Sequence, residues 1–377
     1  MTAMSADRDA LLRAVCDAPD DDLPRLVFAD WLDEHGEAKR AEFVRVSCEL
    51  EQTEEFSPRW RALGERALKL LGPNREKWSK ELADRKLLNV EFRRGFVNEV
   101  TVYSKRFVTD AADLLSLAPI LRLKLADLSA ARGNVPLGDV LARPEMARLR
   151  GLDLSNSKLS DSSVSQVAAC ERLRGLRELV LGASELTGDA CRALMRSENL
   201  AGLTHLTLAV PFETNAEGNE LAAELAAEPG LRRITRLSLR GCQVGPAGAK
   251  ALAGSPHAAG LRYLAVSGGG YSAETRLGPK GMQALARSEN LASLTALVVT
   301  GQEVGLGGVQ ALADSPHLAG LRHLDLSGNL LTPAMVAAFV GAKGFGKLVS
   351  LGLRHDGAGS ERAAFKARFP DAVIVFE

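Results

Sequence analysis

Apolar residues recur along the chain in short segments where they alternate with polar residues. The pattern Leu-x-x-Leu-x-Leu returns about every 27 residues from residue 149 onward. Its copies begin at Leu149, Leu176, Leu203, Ile234, Leu261, Leu294, Leu321 and Leu348. Self-similarity at such a period is typical of a solenoid, in which each unit buries its apolar face only against its neighbours. The pattern therefore predicts an extended surface rather than an enclosed catalytic pocket.

Each copy predicts the same short strand, turn and helix. In residues 321–326 the leucines alternate with polar residues, which indicates a strand whose leucines face the core. Thr332 and Pro333 then suit a helix cap and a first helical residue. Other units place Ser160, Thr187, Gly245 and Gly278 in the capping position. Because helices are wider than strands, we expect a curved horseshoe with parallel strands on its concave face and helices on its convex face.

The solenoid is predicted to begin near residue 93. Residues 96–102 alternate with a period of two, which indicates a strand, and residues 120–125 form the next one. We interpret both as parts of an irregular unit that caps the open end of the stack. The expected organisation is a small all-α domain over 1–92 and a repeat domain with terminal capping units over 93–377.

Three apolar stripes at helical spacing indicate that the first 55 residues are helical. The stripes are Leu11, Leu12 and Val15; Leu26, Val27, Trp31 and Leu32; and Phe43, Val46 and Leu50. Asp22 precedes Leu23 and Pro24, which predicts a capped helix start, and Gly36 is placed to end that helix.

The motif Leu-x-x-Leu-x-Leu-x-x-Asn-x-Leu, complete in residues 321–331, resembles that of leucine-rich repeats. The period near 27 and the helical side of each unit are similar to the ribonuclease-inhibitor-like subclass. In that family the side chain at the position of Asn329 bonds to neighbouring backbone. The other units carry Ser157, Ser184, Pro211, Cys242 and Gln302 there, so we expect a weak polar ladder.

Residues 5–50 resemble a second family. The segments 11–15, 19–22, 24–36 and 40–45 are similar to the repeat-companion domain, a small bacterial helical module that often precedes leucine-rich repeats. The resemblance implies an architecture and transfers no activity to this chain.

Composition and charge narrow the function classes. The chain has 47 basic and 47 acidic residues, whereas dedicated nucleic-acid binders usually carry a positive excess. No apolar stretch approaches the roughly 18 residues that span a bilayer, and the first residues lack the apolar run of a secretory signal. The five cysteines show no metal-ligand or redox spacing, so we expect reduced thiols, Cys191 in the core, and a cytoplasmic protein.

Two charged segments are candidates for chemistry. The acidic cluster over 20–37, which includes His35, has side chains that suit a divalent ion. One alternative is therefore a hydrolase or another metal-dependent enzyme with its site in the N-terminal all-α domain. The favoured interpretation is helix capping and ion pairing with Arg25, Arg40 or Arg45. The basic segment 56–106 either contacts nucleic acid or neutralises its acidic neighbour. No metal and no cofactor are predicted.

The candidate partner surface combines outward strand residues with two loops. The repeats that begin at Leu203 and Leu261 are longer than the others, and the additional residues follow their strands. Such insertions often form the rim of a binding surface. The alternatives are loops that vary in length without a function and a strand face that contacts only solvent. The candidate residues are His205, Phe212, Glu213, Arg236, Arg240, Tyr263, Tyr271, Arg276 and His323. We predict a non-enzymatic module that binds a protein partner through this surface.

Overall fold

The computed structural model describes residues 3–127, 135–183, 186–211, 214–268, 276–342, 344–353, 359–370 and 372–376. The chain divides into two compact units, Met1–Asn156 and Ser157–Glu377. The domain boundary expected near residue 92 rests on the change to a strand-like alternation in the sequence and stays a prediction.

Helices dominate the start of the first unit. Its helices are α1 (Ala3–Asp17), α2 (Leu23–Glu34), α3 (Ala38–Gln52), α4 (Pro58–Leu71), α5 (Arg75–Trp78), α6 (Ser104–Ser116) and α7 (Leu137–Leu141). Gly36 follows α2 with a φ of 77°, which confirms its role as a helix stop. Asp22 is the N-cap residue of α2 but makes no capping bond with its side chain. Instead, Asp21 Oδ1 accepts a hydrogen bond from the Leu23 N–H at 2.9 Å.

The buried face of α2 differs from the predicted stripe. Leu32 is buried as predicted, and so is Phe28, whereas Leu26 and Val27 are 37% and 44% exposed. Arg25, at the same face of the helix, is also buried and donates to the Asp21 carbonyl at 2.6 Å. The prediction for Leu26 and Val27 was wrong because a buried arginine can occupy an inward position once its polar end is bonded.

The first unit also carries three strands and the first six residues of a fourth. They are β1 (Asn89–Arg93), β2 (Phe96–Val102), β3 (Arg122–Leu125) and β4 (Gly151–Leu159). β2 has its predicted bounds, and β3 begins two residues later than predicted. β1 was not predicted; it pairs antiparallel with β2, while β2, β3 and β4 pair in parallel. Arg94 and Gly95 connect the hairpin with φ angles of 49° and 82°, the signature of a type I′ turn.

The second unit repeats one strand and one helix. Its strands are β5 (Glu178–Ala183), β6 (His205–Ala209), β7 (Arg236–Arg240), β8 (Tyr263–Ser267), β9 (Ala296–Thr300), β10 (His323–Asp325), β11 (Ser350–Leu353) and β12 (Val373–Phe376). Its helices are α8 (Asp161–Ala169), α9 (Gly188–Arg196), α10 (Asn215–Ala227), α11 (Pro246–Gly254), α12 (Gly278–Ala286), α13 (Gly305–Ala313), α14 (Pro333–Val340) and α15 (Gly359–Arg368). Neighbouring strands from β5 to β12 pair in parallel and in chain order, which makes this unit a solenoid.

The repeated leucines form the core of the solenoid, as predicted. Leu321, Leu324 and Leu326 have no exposed surface. Thr187 caps α9 by accepting from the Asp189 N–H, and Thr332 caps α14 by accepting from the Met335 N–H. Gly278 differs from the expectation, since α12 begins at this residue rather than after it.

The polar ladder is stronger than the sequence suggests at three positions, while the buried hydroxyl of Ser157 has no hydrogen-bond partner among the described residues. Asn329 Nδ2 donates to the Val299 carbonyl at 2.6 Å, and Gln302 Nε2 donates to the Gly268 carbonyl at 3.0 Å. Cys242 Sγ contacts the Leu208 carbonyl at 3.4 Å. All three reach a backbone carbonyl at or just after the preceding strand, so glutamine and cysteine replace part of the asparagine role.

Candidate functional site

One register position of the parallel strands carries several large polar side chains of the second unit. The pairing His205↔Arg236↔Tyr263 runs across β6, β7 and β8. We call the set at this position the strand-face row. It consists of Glu178, His205, Arg236, Tyr263, Ala296, His323 and Ser350. At about 4.8 Å per strand, its six intervals span about 29 Å.

The centre of the strand-face row is a preorganised pair. The guanidinium carbon of Arg236 lies 4.4 Å from the centroid of the Tyr263 ring. Both side chains are half-buried, and an interaction of this kind is worth about 0.5–1 kcal/mol at an exposed site. On the adjacent strand, His205 Nδ1 lies 2.8 Å from the Thr204 hydroxyl, which orients the imidazole. An arginine, a tyrosine and a histidine therefore lie side by side in fixed orientations.

Small, mostly uncharged side chains form the next row along the strands. Two positions further on, the paired residues are Val180, Thr207, Ser238, Ala265, Val298 and Asp325. Ser238 and Thr207 are half-buried. Short side chains let a bound molecule approach the sheet closely. The strand-face row borders this row of short side chains on one side.

The other predicted site residues are more dispersed. Arg240 is exposed at the far end of β7, four residues or about 13 Å from Arg236. His323 belongs to the strand-face row but is separated from Tyr263 by β9. Arg276 lies off the sheet, where its guanidinium pairs with the Glu303 carboxylate. Phe212, Glu213 and Tyr271 lie outside the described residues.

The acidic segment of the first unit is used in ion pairs. Arg45 bridges Asp30 and Asp33 at 2.7 and 2.6 Å, as predicted for this arginine. Arg25 donates to the Asp21 carbonyl and Arg40 lies over aromatic rings, and a pairing of either one with the acidic cluster stays a prediction. Among the residues that the structure describes, no group of three His, Cys, Asp or Glu side chains is placed to hold a metal ion.

Several residues of the basic segment pair with acids of the neighbouring acidic segment. Arg59 pairs with Glu49 at 2.5 Å, and Arg66 pairs with Glu42 at 2.5 Å. Both pairs link α4 to α3. Arg93 forms a two-point contact with Glu51. Burial by itself would raise the pKa of Glu51, but the arginine holds that pKa below its usual range. These contacts support the alternative in which the basic segment neutralises its acidic neighbour and stabilises the N-terminal helices.

Burial makes the cysteines poor nucleophiles. Cys48, Cys191 and Cys242 are buried, which confirms the core assignment of Cys191. Burial raises the pKa of Cys16 to about 11 and those of Cys48 and Cys242 to about 12. It also raises the pKa of Cys191. Because the thiolate is the reactive form, these four side chains are unsuited to catalysis at neutral pH.

A cavity in the first unit was missed at the sequence level. It has a volume of about 420 Å³, and its walls include Trp31, His35, Arg40 and Trp78. The available signal was the position of the three tryptophans, which all lie between residues 31 and 78. Periodicity assigns such residues to a core and does not reveal a space between them.

In the part of the chain that the structure describes, no helix is long and apolar enough to cross a membrane. Residues 232–253 match a family model described as a leucine rich repeat. No curated protein matches the chain significantly. An internalin from Listeria monocytogenes is similar at 13% identity, with 80% of this chain and 88% of that chain covered and a TM-score of 0.30. A likeness at that TM-score carries no conclusion about this chain. The matched residues and the repeated units together support a leucine-rich-repeat protein.

Proposed function

We propose that this leucine-rich-repeat protein is a non-enzymatic binding module that docks a protein partner across the strand-face row. The observation that carries the proposal is the Arg236–Tyr263 pair beside His205, on three adjacent strands of one sheet. Arginine and tyrosine are enriched among the residues that dominate binding energy at protein interfaces. Leucine-rich repeats are commonly protein-interaction modules, and the small residues of the next row leave room for a partner.

The area of the strand face indicates how far the site extends. A span of about 29 Å and strands of about 16 Å give about 460 Å², whereas a standard interface covers about 800 Å² on each partner. The proposed site therefore includes Arg240 and the rim loops, with Phe212, Glu213, Tyr271 and Arg276 as additional contacts. The finer assignments belong to this proposal: the ribonuclease-inhibitor-like subclass, a repeat-companion domain over 5–50, a bacterial origin and a cytoplasmic location.

The test compares two double variants with matched chemistry. Arg236→Ala/Tyr263→Ala removes the centre of the strand-face row, while Arg287→Ala/Tyr103→Ala removes an exposed arginine and an exposed tyrosine elsewhere. Proteins captured from a cell extract would be identified by mass spectrometry and their affinities measured with purified components. We expect the first variant to lose about 2 kcal/mol of binding free energy, roughly 30-fold in affinity.

The control variant should keep the wild-type affinity. If both variants retain the same partners at the same affinities, the strand-face row is not the docking surface. Circular dichroism and the midpoint of urea unfolding would establish that each variant is folded.

A further inference from the structure

The cavity of the first unit has the size of a small-molecule site. Its volume of about 420 Å³ lies within the range of about 300–1,000 Å³ that is usual for ligand pockets. Its walls come from α1, α2, α3, the segment 77–82, β2 and the residues that follow α6. All of these belong to one compact unit.

Flat aromatic surfaces form much of the wall. Trp31 in the last turn of α2 and His35, which directly follows that helix, stack with ring centroids 4.0 Å apart and an interplanar angle of 21°. Trp78 contributes another indole, held by stacking on Phe43 at 5.0 Å. Trp31 and Trp78 are only half-buried, so part of each ring faces the space. A planar ligand would find stacking partners there.

The charge of the wall favours an anion. Among the described residues that line the cavity, Arg8, Arg40, Lys77 and Lys80 are basic, and the one acid is Glu37. Glu37 Oε2 lies 3.9 Å from Lys77 Nζ, so it offsets one of these charges at most. A concave site lined by one sign of charge concentrates ligands of the opposite sign.

Arg40 is held in a way that suits anion recognition. It is 9% exposed, and its guanidinium carbon lies 4.7 Å from the Trp78 ring centroid and 5.4 Å from that of Phe96. Contacts with Phe43 and Phe92 at 5.5 and 5.7 Å complete an aromatic cradle. The cradle restricts the side chain, so little entropy remains to be lost when its planar fork binds a phosphate or a carboxylate.

We propose that this cavity binds a small anion that carries a flat aromatic ring, of about the size of a mononucleotide. The ring stacks against the indoles of Trp31 and Trp78, and the anionic group interacts with Arg40, Lys77 and Lys80. The proposal is independent of the strand-face row, since every group it uses lies in the first unit.

The test uses AMP, adenosine and inorganic phosphate as probes for ring plus anion, ring alone and anion alone. Binding would be measured by tryptophan fluorescence and by isothermal titration calorimetry at low salt, with 1-naphthyl phosphate as a second aromatic anion. We expect saturable binding of AMP or naphthyl phosphate, at least about tenfold weaker binding of adenosine and phosphate, and weaker binding as salt rises.

Charge reversal at the rim gives the discriminating variant. Lys77→Glu/Lys80→Glu alters two exposed residues and should weaken binding at least about tenfold without affecting folding. Lys69→Glu, an exposed lysine of α4 that does not line the cavity, should leave the affinity unchanged. Arg40→Lys keeps the charge but loses the planar fork and should also weaken binding.

Three results would overturn the proposal. One is the absence of saturable binding by either aromatic anion up to millimolar concentration. A second is equal affinity of the wild-type protein and the Lys77→Glu/Lys80→Glu variant. Binding of adenosine as tight as that of AMP would likewise show that the site does not select anions.

Discussion

Replacing Asn329 with alanine tests how the repeats are held together. Asn329 is 1% exposed. Its Nδ2 donates to the carbonyls of Val299 and Leu326 at 2.6 and 2.8 Å. Its Oδ1 accepts from the N–H groups of Gln302 and Val304 at 3.0 and 3.3 Å. Because three of these four backbone groups belong to the preceding repeat, the substitution weakens the contact between two neighbouring repeats.

The magnitude follows from those bonds. A net contribution of about 1 kcal/mol for each well-formed bond, with less for the 3.3 Å contact, gives a loss of about 3 kcal/mol in the free energy of unfolding. Asn290→Ala is the matched control. Asn290 is half-buried, and its Nδ2 donates to the Ala253 carbonyl at 3.1 Å, so its substitution should cost about 1 kcal/mol.

Urea unfolding followed by circular dichroism would measure both variants. The midpoint should fall further for Asn329→Ala than for Asn290→Ala, with a similar dependence of the free energy on urea concentration. If Asn329→Ala loses no more than Asn290→Ala, the ladder does not stabilise the stack and the reasoning fails.

Three further predictions concern backbone strain, pH and thiol reactivity. Gly95→Ala should lower the free energy of unfolding in urea by more than about 2 kcal/mol, because φ is 82° and a Cβ there would lie 2.6 Å from the backbone of α3. Gly64→Ala in α4 is the control. Nothing lies within 4 Å of the added Cβ, so this substitution should be neutral or stabilising. Burial, with a neighbouring carboxylate, raises the pKa of Glu99 in the folded state, so the folded state binds more protons than the unfolded state. Stability therefore falls as pH rises from the usual glutamate pKa through the raised pKa of the folded state. Glu99→Gln should therefore be more stable than wild type at pH 7, a gain that disappears as pH falls below the usual glutamate pKa; an equal gain at both pH values would contradict this. Burial raises the pKa of Cys191 and Cys242, so iodoacetamide at pH 8 should label them only after denaturant is added, and mass spectrometry of native samples that shows rapid labelling would refute it.

Local patterns were sufficient to predict the repeated elements. Side chains on a strand alternate in direction, so the leucines of residues 321–326 indicate both the strand and its buried face. Caps such as Thr332 depend on residues a few positions apart and were also correctly predicted. Once parallel pairing is assumed, the spacing of the repeats also places Arg236 beside Tyr263.

Features that depend on distant residues were not predictable. β1 pairs with β2, and its own alternation spans only five residues with two apolar positions, which is too short to reveal a strand by itself. The burial of Arg25 and the aromatic cradle of Arg40 combine residues from separate elements, so helical periodicity alone did not predict either of them. The same applies to Gln302 and Cys242, whose bonds across the stack depend on backbone geometry.

Photo-crosslinking from the strand face tests the central claim most directly. A photoreactive phenylalanine would replace Ser238, in the small row beside Arg236 and Tyr263, and in a second protein would replace Lys250, which is exposed on α11 of the same repeat. We predict that position 238 gives a discrete adduct with a partner protein and that position 250 does not. Adducts from position 250 alone, or no adduct from position 238 in an extract where the wild-type protein captures its partner, would contradict the account.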